Sequence, residues 1–204
     1  MAGRTRRLGV LGGTFDPPHL AHLAAGAAAR AALRLDRVLF VPAGDPWRKR
    51  GRPVTPAAIR LQLVRAAVEP LGSWAEVSPL EIERPGPSYT ADTLADLERR
   101  SPGTERWLVL GADALADLPA WQRPGEIVAR ARIALLERPG NETGVPAAVR
   151  AAVAGIEARV DRVPMPALEI SASELRERVR CGLPTSPLLP RRVRLLVDEL
   201  GLYR

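Results

Sequence analysis

Leu8-Gly9-Val10-Leu11-Gly12-Gly13-Thr14-Phe15-Asp16-Pro17-Pro18-His19-Leu20-Ala21-His22 is the stretch on which the fold turns. A short apolar run ends at paired glycines, as a buried parallel strand does at its carboxyl end. The alanine-rich residues from Leu20 to Leu33 read as a helix, and Arg37 to Val41 as the next strand. Strand, helix and strand in that order make a βαβ unit, in which the helix crosses over one face of the sheet. Glycines between the first strand and the helix let backbone N–H groups approach phosphate oxygens without side-chain obstruction.

Outward from that unit the alternation continues. Pro42 to Thr55 is a loop rich in Pro, Gly and Arg, and Pro56 to Val68 is a helix opened by proline. Ala75 to Glu83 alternates as a strand does, Thr90 to Arg99 is helical, and Trp107 to Leu110 is a central strand ending at Gly111. Further elements are a helix at Gly125–Ala131, a strand at Ile133–Leu136, a helix at Pro146–Val153 and a strand at Arg159–Val163. Helices at Ser171–Cys181 and Arg191–Leu200 close the chain. The expected fold class is α/β, a Rossmann-like open parallel sheet with helices on both faces. One domain spans 1–204, with a small C-terminal helical part from about 165 to 204. Ligands of such sheets bind outside the carboxyl ends of the strands, where most of the motifs below fall.

Composition narrows the function classes. Hydrophobic residues at 46% and charged residues at 26% exclude a disordered or fibrous chain. No apolar run approaches the roughly 18 residues of a membrane span, so no membrane partner is expected. The basic start, Met1 to Arg7, is followed by an apolar stretch that ends at Gly12-Gly13, too soon for an export signal. A single cysteine, Cys181, fits a reducing cytoplasm, the expected location. The net charge of +7 admits nucleic acid or small anions, but aromatics at 4% are too few for a base-stacking platform, so no nucleic-acid partner is expected.

Two usages are more pointed than the totals. Lys49 is the only lysine among 30 basic residues, which singles out one loop position for a compact ammonium. The only histidines, His19 and His22, lie three apart at a helix start, on one face and near the positive end of the helix dipole. Imidazoles there can donate hydrogen bonds to phosphate oxygens as charge develops at phosphorus. Zinc would need further Cys or His ligands, and no protein metal site is expected.

The whole segment Gly13-x-Phe15-x-Pro17-x-His19-x-x-His22 resembles the signature of the nucleotidyltransferase superfamily, with Ala21 where glycine is usual. With Thr14, Asp16 and the chain length, the closest resemblance is to the bacterial nicotinate-nucleotide adenylyltransferases, and it extends to Arg176. That resemblance implies adenylyl transfer from ATP, with Mg²⁺, to nicotinate mononucleotide in NAD biosynthesis, and is compatible with a homo-oligomer. It implies His19, His22, Lys49 and Arg176 as catalytic residues. Gly12, Gly13, Thr14, Phe15, His19, His22, Gly111, Asp113, Ile170, Ser171, Ser173 and Arg176 would bind ATP. Asp16, Lys49, Tyr89, Thr90, Trp121 and Arg138 would bind the nicotinate nucleotide.

The residues add a physical reading to each motif. Ser171 and Glu174 have the spacing of a capping box, and Ile170-Ser171-Ala172-Ser173-Glu174-Leu175-Arg176 is similar to a family phosphate motif with Ala172 and Ser173 in place of Ser and Thr. Thr90 is the expected N-cap of its helix, whose N–H groups suit a carboxylate better than a carboxamide. Trp121, in a turn, offers a flat indole to a pyridinium, whereas Trp107, in a strand, belongs to the core. Asp113 reads as a ribose ligand, as the N-cap of the next helix, or both. Alternatives are an amide-nucleotide or phosphopantetheine adenylyltransferase and, in another class, a non-catalytic nucleotide- or RNA-binding module.

Overall fold

The structure, a computed structural model, describes residues 5–49, 51–137 and 144–204. Strands β1 (Arg7–Gly13), β2 (Arg37–Pro42), β3 (Ala75–Val77), β4 (Glu105–Gly111), β5 (Arg132–Glu137) and β6 (Val160–Pro164) form one parallel sheet in the order β3-β2-β1-β4-β5-β6. Chain order reverses between β1 and β4, which opens a crevice at their carboxyl ends.

Helices follow as α1 (Leu20–Leu33), α2 (Ala57–Val68), α3 (Leu80–Glu83), α4 (Thr90–Arg100), α5 (Ala112–Ala116), α6 (Pro124–Arg130), α7 (Ala147–Ala152), α8 (Ala172–Arg180) and α9 (Arg191–Glu199). The two-residue period of the strands decides which layer each apolar side chain joins. Leu11, Phe40, Trp107, Val109 and Ala134 pack with Ala25 and Ala29 of α1 and Val64 and Val68 of α2. Their neighbours Val10, Val41, Leu108, Leu110, Ile133 and Leu135 pack on the opposite face with Leu94 of α4, Ile127 of α6 and Val149 of α7. Both faces are thus buried, which is why the strands read as near-continuous apolar runs.

Leu63 and Ala67 of α2 join Leu175 of α8 and Val193 and Val197 of α9 in a third cluster. Fully burying a leucine contributes about 2 kcal/mol, so this small core is enough to hold α8 and α9 against α2. It brings the chain end back to the sequence that follows β1.

The expected strand from Ala75 to Glu83 is corrected: pairing stops at Val77, and Leu80–Glu83 is a helical turn. Ser78 N–H still donates to the Phe40 carbonyl of β2 at 2.9 Å. Pro79, with no N–H to donate, then caps α3 and ends the ladder. Trp107 is core as expected, 2% exposed, and its indole N–H donates to Asp161 at 2.8 Å.

Candidate active site

A cleft of about 760 Å³ opens at the carboxyl ends of the central strands, bordered by Gly12, Gly13, His22, Lys49, Gly111 and Trp121 among others. A Cβ on Gly12 or Gly111 would meet no protein atom within 4 Å, and neither residue has a positive φ. Packing and backbone conformation therefore leave these positions free for a larger residue. What the two glycines provide is open floor on adjacent strands, where a ligand's backbone contacts would lie.

Phe15 turns the chain out of β1 with φ +51, a strained conformation for a bulky residue, and its ring is buried. That ring meets His22 edge-on at 4.8 Å, and the His19 and His22 rings lie 3.8 Å apart. His19 is the N-cap of α1, and its N–H donates to His22 Nδ1 at 3.2 Å, which leaves the proton of neutral His22 on Nε2. Burial lowers the His19 pKa to about 4. Burial, then the charges of His19 and Lys49, lower that of His22 to about 3. Both rings are therefore neutral at pH 7. His19 Nδ1 is buried without a partner, and His22, not His19, borders the cleft.

Beneath this loop lies a polar anchor that sequence reasoning missed. Arg60 is 1% exposed and donates to the carbonyls of Thr14 at 2.8 Å, Gly44 at 3.2 Å and Thr55 at 2.8 Å. A guanidinium carries five N–H donors in a fixed fork, enough to serve three carbonyls at once. Its sequence signal is position: Arg60 falls on the same face of α2 as Leu63, Val64, Ala67 and Val68, all buried. Asp16, expected to bind the nicotinate nucleotide, is 3% exposed and turned inward. Its carboxylate accepts from Thr55 N–H at 3.2 Å and Tyr203 O–H at 2.7 Å.

Lys49 ends a 3₁₀ turn, Trp47–Lys49, and borders the cleft. Burial and then the charge of Arg176 lower its pKa, with Arg60 and Arg52 acting in the same direction and Asp16 opposing. Four cations around one carboxylate are an excess of positive charge suited to a polyanion. Arg176 donates to the Asp16 carbonyl at 2.8 Å and to Ser173 Oγ at 3.3 Å. Ser171 caps α8 as expected, accepting from Glu174 N–H at 3.1 Å. Ile170 borders the cleft; Ser171, Ser173 and Arg176 do not.

At the other end of the cleft, Tyr89 rather than Thr90 is the N-cap of α4, and no side chain caps that helix. Thr90 is its first helical residue, because Tyr89 keeps an extended backbone whose carbonyl receives the first helical bonds, from Asp92 and Thr93. Asp113 is likewise corrected as an N-cap: Gly111 holds that place, and Asp113 lies exposed in the first turn of α5, at the cleft. Trp121 is half-buried on the wall, its indole N–H without a partner. The Trp47 ring lies 5.9 Å from Tyr89, and Arg48 pairs with Asp117 at 2.7 Å. Ser88 Oγ accepts from the N–H groups of Gly44 and Asp45 at 2.9 and 3.3 Å. Glu81, also on the wall and missed from sequence, accepts from Thr93 at 2.6 Å, and burial raises its pKa. Arg138 lies outside the described residues.

This arrangement has open glycine floor at the sheet reversal, neutral donors at a helix start and a cation cluster beside them. The sequence profile of a family described as cytidylyltransferase-like matches residues 10–178. A Roseiflexus sp. protein named probable nicotinate-nucleotide adenylyltransferase is 44% identical over 198 residues, covering 97% of this chain and 98% of its own. One of the same name from Saccharopolyspora erythraea is 40% identical over 201 residues, covering 98% and 91%. Plasmodium falciparum nicotinic acid mononucleotide adenylyltransferase complexed with NaAD superposes with a TM-score of 0.76 at 16% identity over 97% of each chain, a likeness of fold. The chain belongs to the cytidylyltransferase-like nucleotidyltransferases and, within them, to the nicotinate-nucleotide adenylyltransferase family.

Proposed function

We propose that this enzyme transfers the adenylyl group of ATP to nicotinate mononucleotide, giving deamido-NAD and pyrophosphate in NAD biosynthesis. The observation that carries the reading is the pair of neutral imidazoles 3.8 Å apart at the start of α1, beside the open backbone of Gly12. The acceptor's 5′-phosphate oxygen attacks the α-phosphorus of ATP as the bond to pyrophosphate breaks, and no enzyme nucleophile is required. Neutral N–H donors oppose the charge that grows on the α-phosphate oxygens without first having to gain a proton. Lys49 and Arg176 meet the departing pyrophosphate, with Ser171 and Ser173 at the start of α8. ATP would enter as its Mg²⁺ complex, the ion held by phosphate oxygens and water.

For the acceptor, the N-terminus of α4 at Tyr89 and Thr90 offers uncapped N–H groups to a carboxylate, and the Trp121 indole offers a face to the pyridinium. Asp113, in the first turn of α5 at the cleft, accepts from ribose hydroxyls. Pyrophosphate release with ATP and Mg²⁺ tests the reading, with nicotinate mononucleotide, its amide and phosphopantetheine compared as acceptors. The acid nucleotide is expected to give the highest kcat/KM. Preference for phosphopantetheine refutes the acceptor, and preference for the amide refutes the role given to α4.

A further inference from the structure

Tyr203 stands next to the last residue of the chain, 187 positions from the loop after β1, yet its hydroxyl donates to the Asp16 carboxylate at 2.7 Å. The contact is a built one. Leu202 and Tyr203 pack on the cluster of α2, α8 and α9, and Tyr203 adopts φ +64, a conformation a non-glycine residue keeps only where its surroundings hold it. Asp16 is almost wholly buried, its second oxygen takes the Thr55 N–H, and its own carbonyl takes the Arg176 guanidinium. Arg60 fastens the neighbouring carbonyls of Thr14, Gly44 and Thr55. The chain end, the loop after β1 and the loop before α2 therefore meet at one carboxylate, at the edge of the Lys49, Arg52 and Arg176 cluster.

We propose that Tyr203 is a positioning residue for adenylyl transfer: its hydroxyl occupies the Asp16 carboxylate, and so keeps that carboxylate from capturing the cations that meet the ATP phosphates. A buried carboxylate stripped of one donor takes another; Arg60 is already committed to three carbonyls, which leaves Lys49, whose charge interacts with Asp16, and Arg176, already bonded to the Asp16 carbonyl. Either capture withdraws positive charge from the triphosphate and pulls the loop after β1 out of register. The proposal rests on the reading that this cluster faces ATP, but the contact itself is measured separately.

Tyr203→Phe keeps the ring and deletes the hydroxyl. The expected result is a kcat/KM for ATP lower by about tenfold to a hundredfold, the range for one lost hydrogen bond to a charged group. KM for nicotinate mononucleotide should stay within about twofold. Hydrogen exchange should speed up at the Thr55 amide, which depends on the same carboxylate and reads the latch whether or not any substrate is turned over. In an Asp16→Asn background the second substitution should add little, since the two residues act as a unit. Wild-type protein that releases no pyrophosphate with any acceptor would sink the proposed function and leave the exchange measurement standing. The latch is overturned by an unchanged Thr55 amide, by kcat/KM for ATP within about twofold of wild type, or by effects that simply add in the double variant. A loss that follows a lowered Tm and disappears on cooling also overturns it, since that marks a purely structural role.

Discussion

Acid should unfold this protein through its two histidines, and His22→Asn should remove about half of that sensitivity. In the unfolded chain both rings bind a proton near pH 6.5, whereas in the folded chain they do so only near about 4 for His19 and about 3 for His22. Between those values the unfolded state holds more protons, so stability is at its full value above pH 6.5 and falls as pH is lowered toward 4. For His19 the gap corresponds, at roughly 1.4 kcal/mol per pH unit, to about 3 kcal/mol. His22 contributes at least as much, and the pair together reaches a large part of the roughly 5–15 kcal/mol that holds a domain folded. Near pH 5 the slope from two protons is about 2.7 kcal/mol per pH unit.

The assay is urea unfolding followed by tryptophan fluorescence at half-unit steps from about pH 5 to 6.5, where model Asp and Glu groups are already ionised. Glu81 acts in the opposite sense, since burial raises its pKa and the stability it contributes at low pH is lost as pH rises through the folded value. That contribution is common to wild type and variant and cancels in their difference. Asparagine leaves an amide oxygen to accept the His19 N–H now bound to His22 Nδ1. The expected slope for the variant is about 1.4 kcal/mol per pH unit. An unchanged slope, or ring protons that titrate near 6.5 in the native protein, would refute the argument that both imidazoles are held neutral. The kinetic corollary is a kcat without a histidine inflection between about pH 6 and 8.

His19→Ala should lower kcat by about 10²–10³ with KM for ATP nearly unchanged, because a donor that strengthens only at the transition state shows in kcat; steady-state kinetics that put the loss in KM would take His19 out of the chemistry. Gly44→Ala would set a methyl group 2.2 Å from the Glu81 carbonyl oxygen, a backbone atom that cannot swing aside as a side chain can. We expect a loss of about 3 kcal/mol and a fall in Tm of roughly 6–12 °C by calorimetry. A rise in KM for nicotinate mononucleotide should accompany it, since Ser88 is anchored on Gly44. Lys49 has a lowered pKa, so its charge is lost earlier than that of an exposed lysine as pH rises, and the affinity for ATP should weaken on the alkaline side. Lys49→Arg keeps its charge and should flatten KM for ATP on the alkaline side; an identical alkaline limb in both proteins would assign it to another group.

The fold was legible because the central strands β1, β2, β4 and β5 are buried on both faces and most helices are bounded by punctuation that a chain reader can see. Leu20 to Leu33 is the observed α1 to the residue. The run from Ala75 was overextended because alternation continues through Leu80 and Ile82, and only Pro79 marks where pairing stops. The caps of α4 and α5 were misplaced by one and two residues for a shared reason. Thr90 and Asp113 are the residue types that usually cap, but here Tyr89 and Gly111 occupy those places without using a side chain. A helix start left bare next to a cleft is the opposite of what propensity favours, and it is where a ligand can take the place of the cap.

The parts of the site that were visible are those whose chemistry is written in consecutive residues: Gly12-Gly13, His19 with His22, and Ser171 to Arg176. The illegible parts act at a distance, and each is a buried polar group whose partner lies far along the chain. Arg60 reads as one more arginine of a helix, yet it reaches Thr14, 46 residues away. Asp16 sits inside the recognisable motif and so invites a substrate contact, while its carboxylate is spoken for by Thr55 and Tyr203. The two kinds of residue divide the work. Glycines and neutral imidazoles tolerate charge arriving on the substrate because they bring none of their own, so they can face the reacting phosphorus. Lys49 and Arg176 repel one another; the Asp16 charge opposes that crowding at Lys49, and the Asp16 carbonyl takes the Arg176 guanidinium. A phosphate loop of this type therefore depends on a carboxylate that never has to touch the phosphate.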